Sequence, residues 1–507
     1  MFVSLNPIII SNMPKEKPSS AFKLKQLVTD FGENIFSTDS KILFCKVCEI
    51  KVASEKRFSI VQYIYTEKHK ASFIRFQKNN ERKNLQQLMP TTSKKSDFNL
   101  DLIRAMLAAN IPLNKLANPQ FKSFLAKYTG QNIPVESTLR IGYIDDCYTE
   151  KMNEIKKLIN GKKIWISMDE TTDIEGRYIV NTIIGILSHD GPGEIFLINV
   201  EELDKTNHSS ICKAFDRSLF LIWPEGLHYN DVLLFLTDAA PYMKKAARHL
   251  QVFYTKMVHV TCLAHELHRV AEDIRSHFPV DDLVANVKKI FRKFPHRLQI
   301  FKTFEPDLAL PPEPILTCWG TWISAAIYYC EHFKSIKHVV ESFDSNDSVA
   351  IKKAQDVLKS QTLQANLIYI KSNFECLPTA IKQLQEQKLS LFDSIKITET
   401  ISGIVKKLQG QHSDSIKTKL DSVLNSNAGY KMICKICKIL SGEEESMTNL
   451  GLPEDMILDD FSYFKYAPIT STDVERSFSK YKNLVTDNRR SLKLDNIKKS
   501  MIVQCNF

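Results

Sequence analysis

Three acidic residues, far apart in the chain, have the types and settings of a metal-dependent phosphodiester site. Asp169 closes the apolar run of "KIWISMDETTD", where Asp169, Glu170 and Asp173 crowd the end of a strand that reads as buried. Carboxylates beside a core are costly unless they are paired, hydrated or holding a cation. Asp238 follows a second apolar strand in "DVLLFLTDAAPYM" and stands at the start of a helix. Acids at the ends of neighbouring strands can converge on one ion. Mg²⁺ and similar ions take carboxylate oxygens and keep several waters, the donor set that activates water at phosphodiesters. Glu475, in "STDVERSFS", is the candidate third acid, near the first turn of a helix that starts at Ser471 or Thr472. A plainer reading fits the same spacing: Asp169 and Asp238 as strand-end or capping acids, and Glu475–Arg476 as an exposed helix pair. Glu170 and Asp173 read as acids of a solvated turn and of a loop or helix start.

The elements that must hold these acids are strands first and helices after. From Lys162, "KIWISMD", "RYIVNTIIGILS" and "GEIFLINVEEL" are rich in β-branched and aromatic residues, with a glycine-marked turn at Gly191–Gly193. A helix over "SSICKAFDRSLFLIW" follows, then a strand into a helix at Asp238, then a second strand–helix unit over "MVHVTCLAHELHRVAEDIR". This order predicts a mixed sheet in an α/β layer. Residues 286–450 are patterned as amphipathic helix throughout, so the expected fold class is α/β plus α, a sheet interrupted by a long helical insertion. Before the sheet we expect a disordered tail over 1–20, a small module over 21–83, a linker over 84–97 and a helical domain over 98–160. The sheet region runs over 161–285, and 451–507 returns to complete it.

At 507 residues, 43% apolar and 25% charged, the composition is that of an ordinary globular protein. No apolar run approaches the roughly 20 residues of a membrane span, and the N-terminus lacks the basic start of a secretory signal. Eleven cysteines at irregular spacing fit reduced thiols better than a disulfide framework. The net charge of +10 is unevenly placed: residues 1–99 hold 17 Lys/Arg against 9 Asp/Glu. A basic arm on a near-neutral body suggests an anionic partner such as nucleic acid, and a solvated lead-in gives the same count.

The motifs "ISMDETTD", "FLTDAAPYM", "TCLAHELHRV" and "STDVERSFS", in this order, resemble those of hAT-superfamily DDE transposases and their domesticated relatives. The similarity is greatest to the group of CGG-triplet-repeat-binding-protein-like and domain-of-unknown-function-659 (DUF659) sequences, and it covers roughly residues 40–507. It implies an RNase-H-like sheet, Asp169, Asp238 and Glu475 as catalytic acids holding Mg²⁺ or Mn²⁺, a C-terminal dimerisation region and hence a homo-oligomer, DNA as partner and a nuclear location. Cys262 and His265 resemble the family's Cys-x-x-His motif, for which a structural role is the favoured reading. Trp319 resembles the DNA-contacting tryptophan of the insertion, although Cys318 stands where relatives carry Arg; Trp319 and Trp322 read equally as core residues.

Cys45-x-x-Cys48 with His69 resembles a BED-type zinc finger. A closed zinc site takes four ligands, and relatives carry a second His where this chain has Tyr63. Lys46, Lys51, Lys56, Arg57, Lys68 and Lys70 would contact phosphates with or without zinc. The second Cys-x-x-Cys, Cys434 and Cys437, lies in an apolar helical pattern and reads as buried thiols. Together these imply a transposon-derived DNA-binding protein that cleaves and joins strands, or a domesticated transcriptional regulator without catalysis.

Overall fold

The computed structural model describes residues 20–39, 41–48, 50–74, 95–292, 294–312, 320–443, 451–453, 455–485 and 493–506. All of the expected tail but Ser20, most of the linker, and Cys318 and Trp319 lie outside these residues. The chain divides into two compact units, Met1–Ser96 and Asp97–Phe507. Among the described residues, no helix is long and apolar enough to cross a membrane.

The first unit sets helix α1 (Ser20–Phe31) against a three-stranded antiparallel meander of β1 (Phe36–Thr38), β2 (Leu43–Cys45) and β3 (Ile50–Val52). Two further helices follow, α2 (Arg57–Ile64) and α3 (67–74). The Asp39 carboxylate accepts the Lys41 and Ile42 amides at 2.8 Å and so closes the β1–β2 turn. Leu24, Phe36, Leu43, Cys45, Val52 and Ile60 form a small core of their own. A core this size supplies little stabilisation, which is where a metal is ordinarily recruited.

The second unit opens with four helices, α4 (Asp97–Ala108), α5 (Pro119–Thr129), α6 (Glu136–Gly142) and α7 (Ile144–Ile159). The ends of α5 follow from sequence: the Asn118 side chain caps the Gln120 and Phe121 amides, Pro119 opens the first turn, and Gly130 ends the helix at φ 65°.

The sheet comprises β4 (Lys163–Thr172), β5 (Tyr178–Leu187), β6 (Ile195–Leu203), β7 (Val232–Thr237) and β8 (Val258–Thr261), in the spatial order β6-β5-β4-β7-β8. The first three strands pair antiparallel; β7 and β8 continue from β4 in parallel. The parallel steps need crossovers, supplied by α8 (His208–Ile222) between β6 and β7 and by α9 (Pro241–Leu250) between β7 and β8. Helix α10 (Leu263–His277) leaves β8. The strands of the parallel half are buried at nearly every position because both faces are covered. Gly185 faces Trp165 across the β4–β5 pair, and a Cβ there would lie 2.1 Å from the indole ring.

From Asp281–Phe291 to Ala428–Leu440, the described residues form helices and no strand. Their apolar faces share one continuous core with the sheet. The helix Ala428–Leu440 meets β8 so closely that a Cβ at Gly429 would lie 1.8 Å from the His259 carbonyl oxygen. Two C-terminal helices, Thr472–Leu484 and Leu494–Cys505, return to the sheet; Asn506 exchanges hydrogen bonds of 2.9 and 2.7 Å with the Leu197 backbone of β6.

Candidate functional site

The register of the sheet brings two of the expected acids side by side. Ser167 of β4 lies opposite Leu236 of β7. Two residues further along these parallel strands stand Asp169 and Asp238, at the carboxyl edge where open α/β sheets place their ligands. The Asp238 carboxylate accepts the Ala240 amide at 3.1 Å, which fixes it at the entrance to α9.

The third acid arrives on the helix Thr472–Leu484, whose N-cap is Ser471. Val474, Ser477, Phe478, Tyr481 and Leu484 recur at helical spacing and bury one face on β4 and β5. Two polar contacts set its position. Asn181, the cross-strand partner of Asp169, donates to Ser477 at 2.7 Å, and Tyr481 donates to Asp173 at 3.0 Å. Asp173 is the acid of the β4–β5 turn, ion-paired to Arg177 at 2.7 Å. Glu475 then faces His265 of α10, with Nε2 to Oε1 at 3.0 Å.

The electrostatics record how close these groups are. Asp169 is held well above the usual carboxylate range, first by burial and then by the Glu475 charge, with Glu170 and Asp238 adding and His265 opposing. Burial alone would lower His265, but the Cys262 and Glu475 charges outweigh it and push it up to about 11. His265 therefore stands as a cation among the acids. Burial opposes a charge on Cys262, while His265 and the Ser471 amide pull its thiol down.

Cys262 is fully buried. Its sulfur accepts the Ser471 amide at 3.2 Å, its own amide donates to the Thr237 carbonyl at 2.8 Å, and the neighbouring Leu263 amide reaches the Ile469 carbonyl at 3.0 Å. The Cys-x-x-His pair thus ties the end of β7, the start of α10 and the returning C-terminal segment into one corner.

Glu170 differs from its reading as a solvated turn acid. It lies within β4, Tyr242 of α9 donates to its Oε1, and its Oε2 is buried without a partner. Burial and the Asp238 charge push it up to about 7. Successive strand residues point to opposite faces, so Asp169 looks toward the Glu475 helix and Glu170 toward α9. The aspartate–glutamate doublet in the sequence was the available signal, and only the placement of α9 shows which side Glu170 takes.

Among the described residues, the three metal-capable side chains whose donor atoms all lie within 4.8 Å of one another are Cys45, Cys48 and His69. Asp169, Asp238 and Glu475 share one electrostatic neighbourhood without closing to that spacing, and Glu475 is committed to His265. This arrangement is not a ready ligand set for Mg²⁺ or Mn²⁺, which would require Glu475 to leave His265.

The cysteine–histidine cluster is different. Cys45 ends β2, Cys48 follows in the turn, and His69 is buried on α3. The two sulfurs lie 3.7 and 3.4 Å from His69 Nδ1. Zinc bonds of about 2.3 Å to sulfur and 2.0–2.1 Å to nitrogen, at tetrahedral angles, put such atoms about 3.6 Å apart. The three residues fit zinc.

Of the basic residues around this cluster, Lys51, Lys56 and Lys68 are exposed and make no ion pair among the described residues. The others have partners: Lys46 on the Glu33 carbonyl at 2.8 Å, Arg57 on Asp30 and over the Phe31 ring, and Lys70 on Glu67 at 2.9 Å. Cys434 and Cys437 sit on the Ala428–Leu440 helix, and burial pushes both thiols up, Cys434 to about 11. Trp322 is a core residue whose indole donates to Asp281 at 2.5 Å.

Two families match the chain. The family described as "Domain of unknown function (DUF659)" matches residues 134–290, and the "CGGBP1 helical domain" matches 91–146. The chain carries a DUF659 domain and a CGGBP1-like helical domain. The first spans the whole sheet with Asp169, Asp238, Cys262 and His265, and stops short of Glu475; the second takes in α4 and α5 and all of α6. CGG triplet repeat-binding protein 1 of Mus musculus is 29% identical over 137 residues, 25% of this chain and 81% of that protein. Its counterpart from Homo sapiens is 28% identical over the same length and shares.

Proposed function

We propose that this chain is a nuclear DNA-binding protein of transposase descent, with a zinc-held N-terminal module as its principal DNA contact. The observation that carries the reading is the likeness to the CGG triplet repeat-binding proteins, of which the matched segment covers most of the length. The free lysines beside a zinc-shaped cluster support it from this chain's own residues. Zinc would be held by Cys45, Cys48 and His69 and would fix the β2–β3 hairpin against α3, supplying stability that the small core lacks. Lys51, Lys56 and Lys68 would then meet phosphates. The strand order β6-β5-β4-β7-β8, three antiparallel and two parallel, supports an RNase-H-like ancestry for the second unit. Expected self-association rests on the resemblance alone.

The test is titration of a fluorescent duplex carrying CGG triplets, and of a scrambled duplex, with the full chain at several salt concentrations. Three phosphate contacts give a slope of about −2.7 in log K against log salt, hence a fall of about 40-fold between 50 and 200 mM. Affinity indifferent to salt would refute the reading.

A second reading, strand cleavage at the acids, is favoured by one observation: Asp169 feels the charges of both Glu475 and Asp238. It would first require Glu475 to leave His265, with which it pairs at 3.0 Å. The chain's own contribution would be to hold Asp169 and Asp238 in strand register and to bring Glu475 in on a helix packed over them.

A further inference from the structure

We infer that Tyr63 is the fourth donor of the N-terminal metal site, making it a Cys₂-His-Tyr centre. The inference rests on the zinc reading of Cys45, Cys48 and His69, and adds the ligand that reading lacks. Three donors whose spacing matches the edges of a tetrahedron leave one corner unassigned. Tyr63 packs beside the cluster. Its ring stands 4.9 Å from the His69 ring, and its hydroxyl is near enough to Cys45 and Cys48 to feel their charges.

The hydroxyl is also buried and finds no hydrogen-bond partner of ordinary geometry. A buried phenol left unsatisfied costs about 1–3 kcal/mol. Here the orphaned oxygen belongs to a ring packed against His69 of the cluster, so a cation bound there would give it a partner. The placement follows from local structure: Tyr63 sits in the last turn of α2, and the short turn over Tyr65 and Thr66 leads into the helix that carries His69. The Thr66 side chain accepts the His69 amide at 3.3 Å and caps that second helix.

Zn²⁺ binding would release the two thiol protons and the phenol proton to solvent, while His69 supplies the Nδ1 lone pair. Two thiolates, one phenolate and Zn²⁺ sum to a charge of −1, the same as a Cys₃His site. Because metal binding releases these protons, affinity should rise with pH.

The experiment compares full-length wild type with Tyr63→Phe, Tyr63→His and Cys45→Ser. Zn²⁺ affinity is measured by competition with a chromophoric chelator, and the ligand field by the visible spectrum of the Co²⁺ form. Tyr63→Phe keeps the ring, so the module's packing is preserved, and it should weaken Zn²⁺ by more than about tenfold and move the Co²⁺ bands. Tyr63→His should restore tight binding with a spectrum unlike wild type. Equal affinity and an unchanged Co²⁺ spectrum in Tyr63→Phe would overturn Tyr63 as a ligand while leaving zinc on the other three. Wild type binding no more zinc than Cys45→Ser would overturn the zinc reading itself.

Discussion

Glu266→Gln should flatten the pH dependence of stability and make the protein more stable than wild type above pH 7. Glu266 lies in the first turn of α10 and is fully buried. Thr261 at the end of β8 donates to its Oε1, Asn427 donates to the same oxygen at 3.1 Å, and Oε2 has no partner. Asn427 in turn caps the Ala428–Leu440 helix through the Tyr430 amide and bonds the Thr261 backbone in both directions. The three side chains pin the helical run to the edge of the sheet.

Burial pushes Glu266 up to about 7, against the hydrogen bonds from Thr261 and Asn427 and the charges of Lys244 and Arg269. Below the ordinary glutamate range the carboxyl is neutral in both folded and unfolded chains. As pH rises toward 7 the unfolded chain ionises first, so stability falls, and the loss is complete once the folded group ionises. From the usual value of 4.5 to about 7, the shift corresponds to about 3 kcal/mol. Gln keeps an acceptor for Thr261 and Asn427 and carries no charge. Urea unfolding at pH 5 and pH 8.5 measures the difference. Parallel pH profiles for wild type and variant would contradict this assignment.

Asp169→Asn should stabilise the metal-free protein at neutral pH, although it removes the residue most central to the acidic cluster. Asp169 is raised by burial and by Glu475, so its charge is a cost that grows as pH climbs above the ordinary aspartate range. Asparagine preserves the shape, and its carbonyl can still accept the Glu170 amide that Asp169 holds at 2.9 Å. A divalent cation relieves the same repulsion by another route. Under the cleavage reading, Mn²⁺ at a hundredfold excess over its Kd adds about 2.7 kcal/mol to wild type and nothing to the variant. The gain on substitution without any Mn²⁺ response in wild type would leave a DNA-binding protein whose acids hold no metal. Such functional clusters are commonly destabilising, and replacing their charged members commonly stabilises.

The sheet was legible because its strands are short runs of β-branched and aromatic residues broken by glycine-marked turns, and because two of them lead directly into helices. Asp169 and Asp238 could be nominated from those strand ends. Their adjacency came from the β4–β7 register, which depends on the crossover through α8. Glu475 stood out by its setting among serines, but its engagement with His265 depends on how α10 and the C-terminal helix cross, and no local pattern encodes that. The burial of Glu170 is not legible in sequence, because a strand doublet does not reveal which face α9 will cover. Glu266 and Asn427 are 161 residues apart, and neither has a neighbour in sequence that hints at the other. Tyr63 was visible as a departure from a histidine position; that its ring packs against His69 became apparent only in three dimensions.

DNA binding through the N-terminal module is the central claim, and the salt dependence of binding tests it most directly. The affinity of the zinc-loaded full chain for the CGG-triplet duplex is measured from 50 to 200 mM NaCl, for wild type and for the combined Lys51→Ala, Lys56→Ala and Lys68→Ala variant. Each lost phosphate contact should reduce the slope by about 1, so the variant should bind weakly and with little response to salt. A triple variant that binds with the wild-type slope and affinity would place the DNA contact elsewhere and contradict the account.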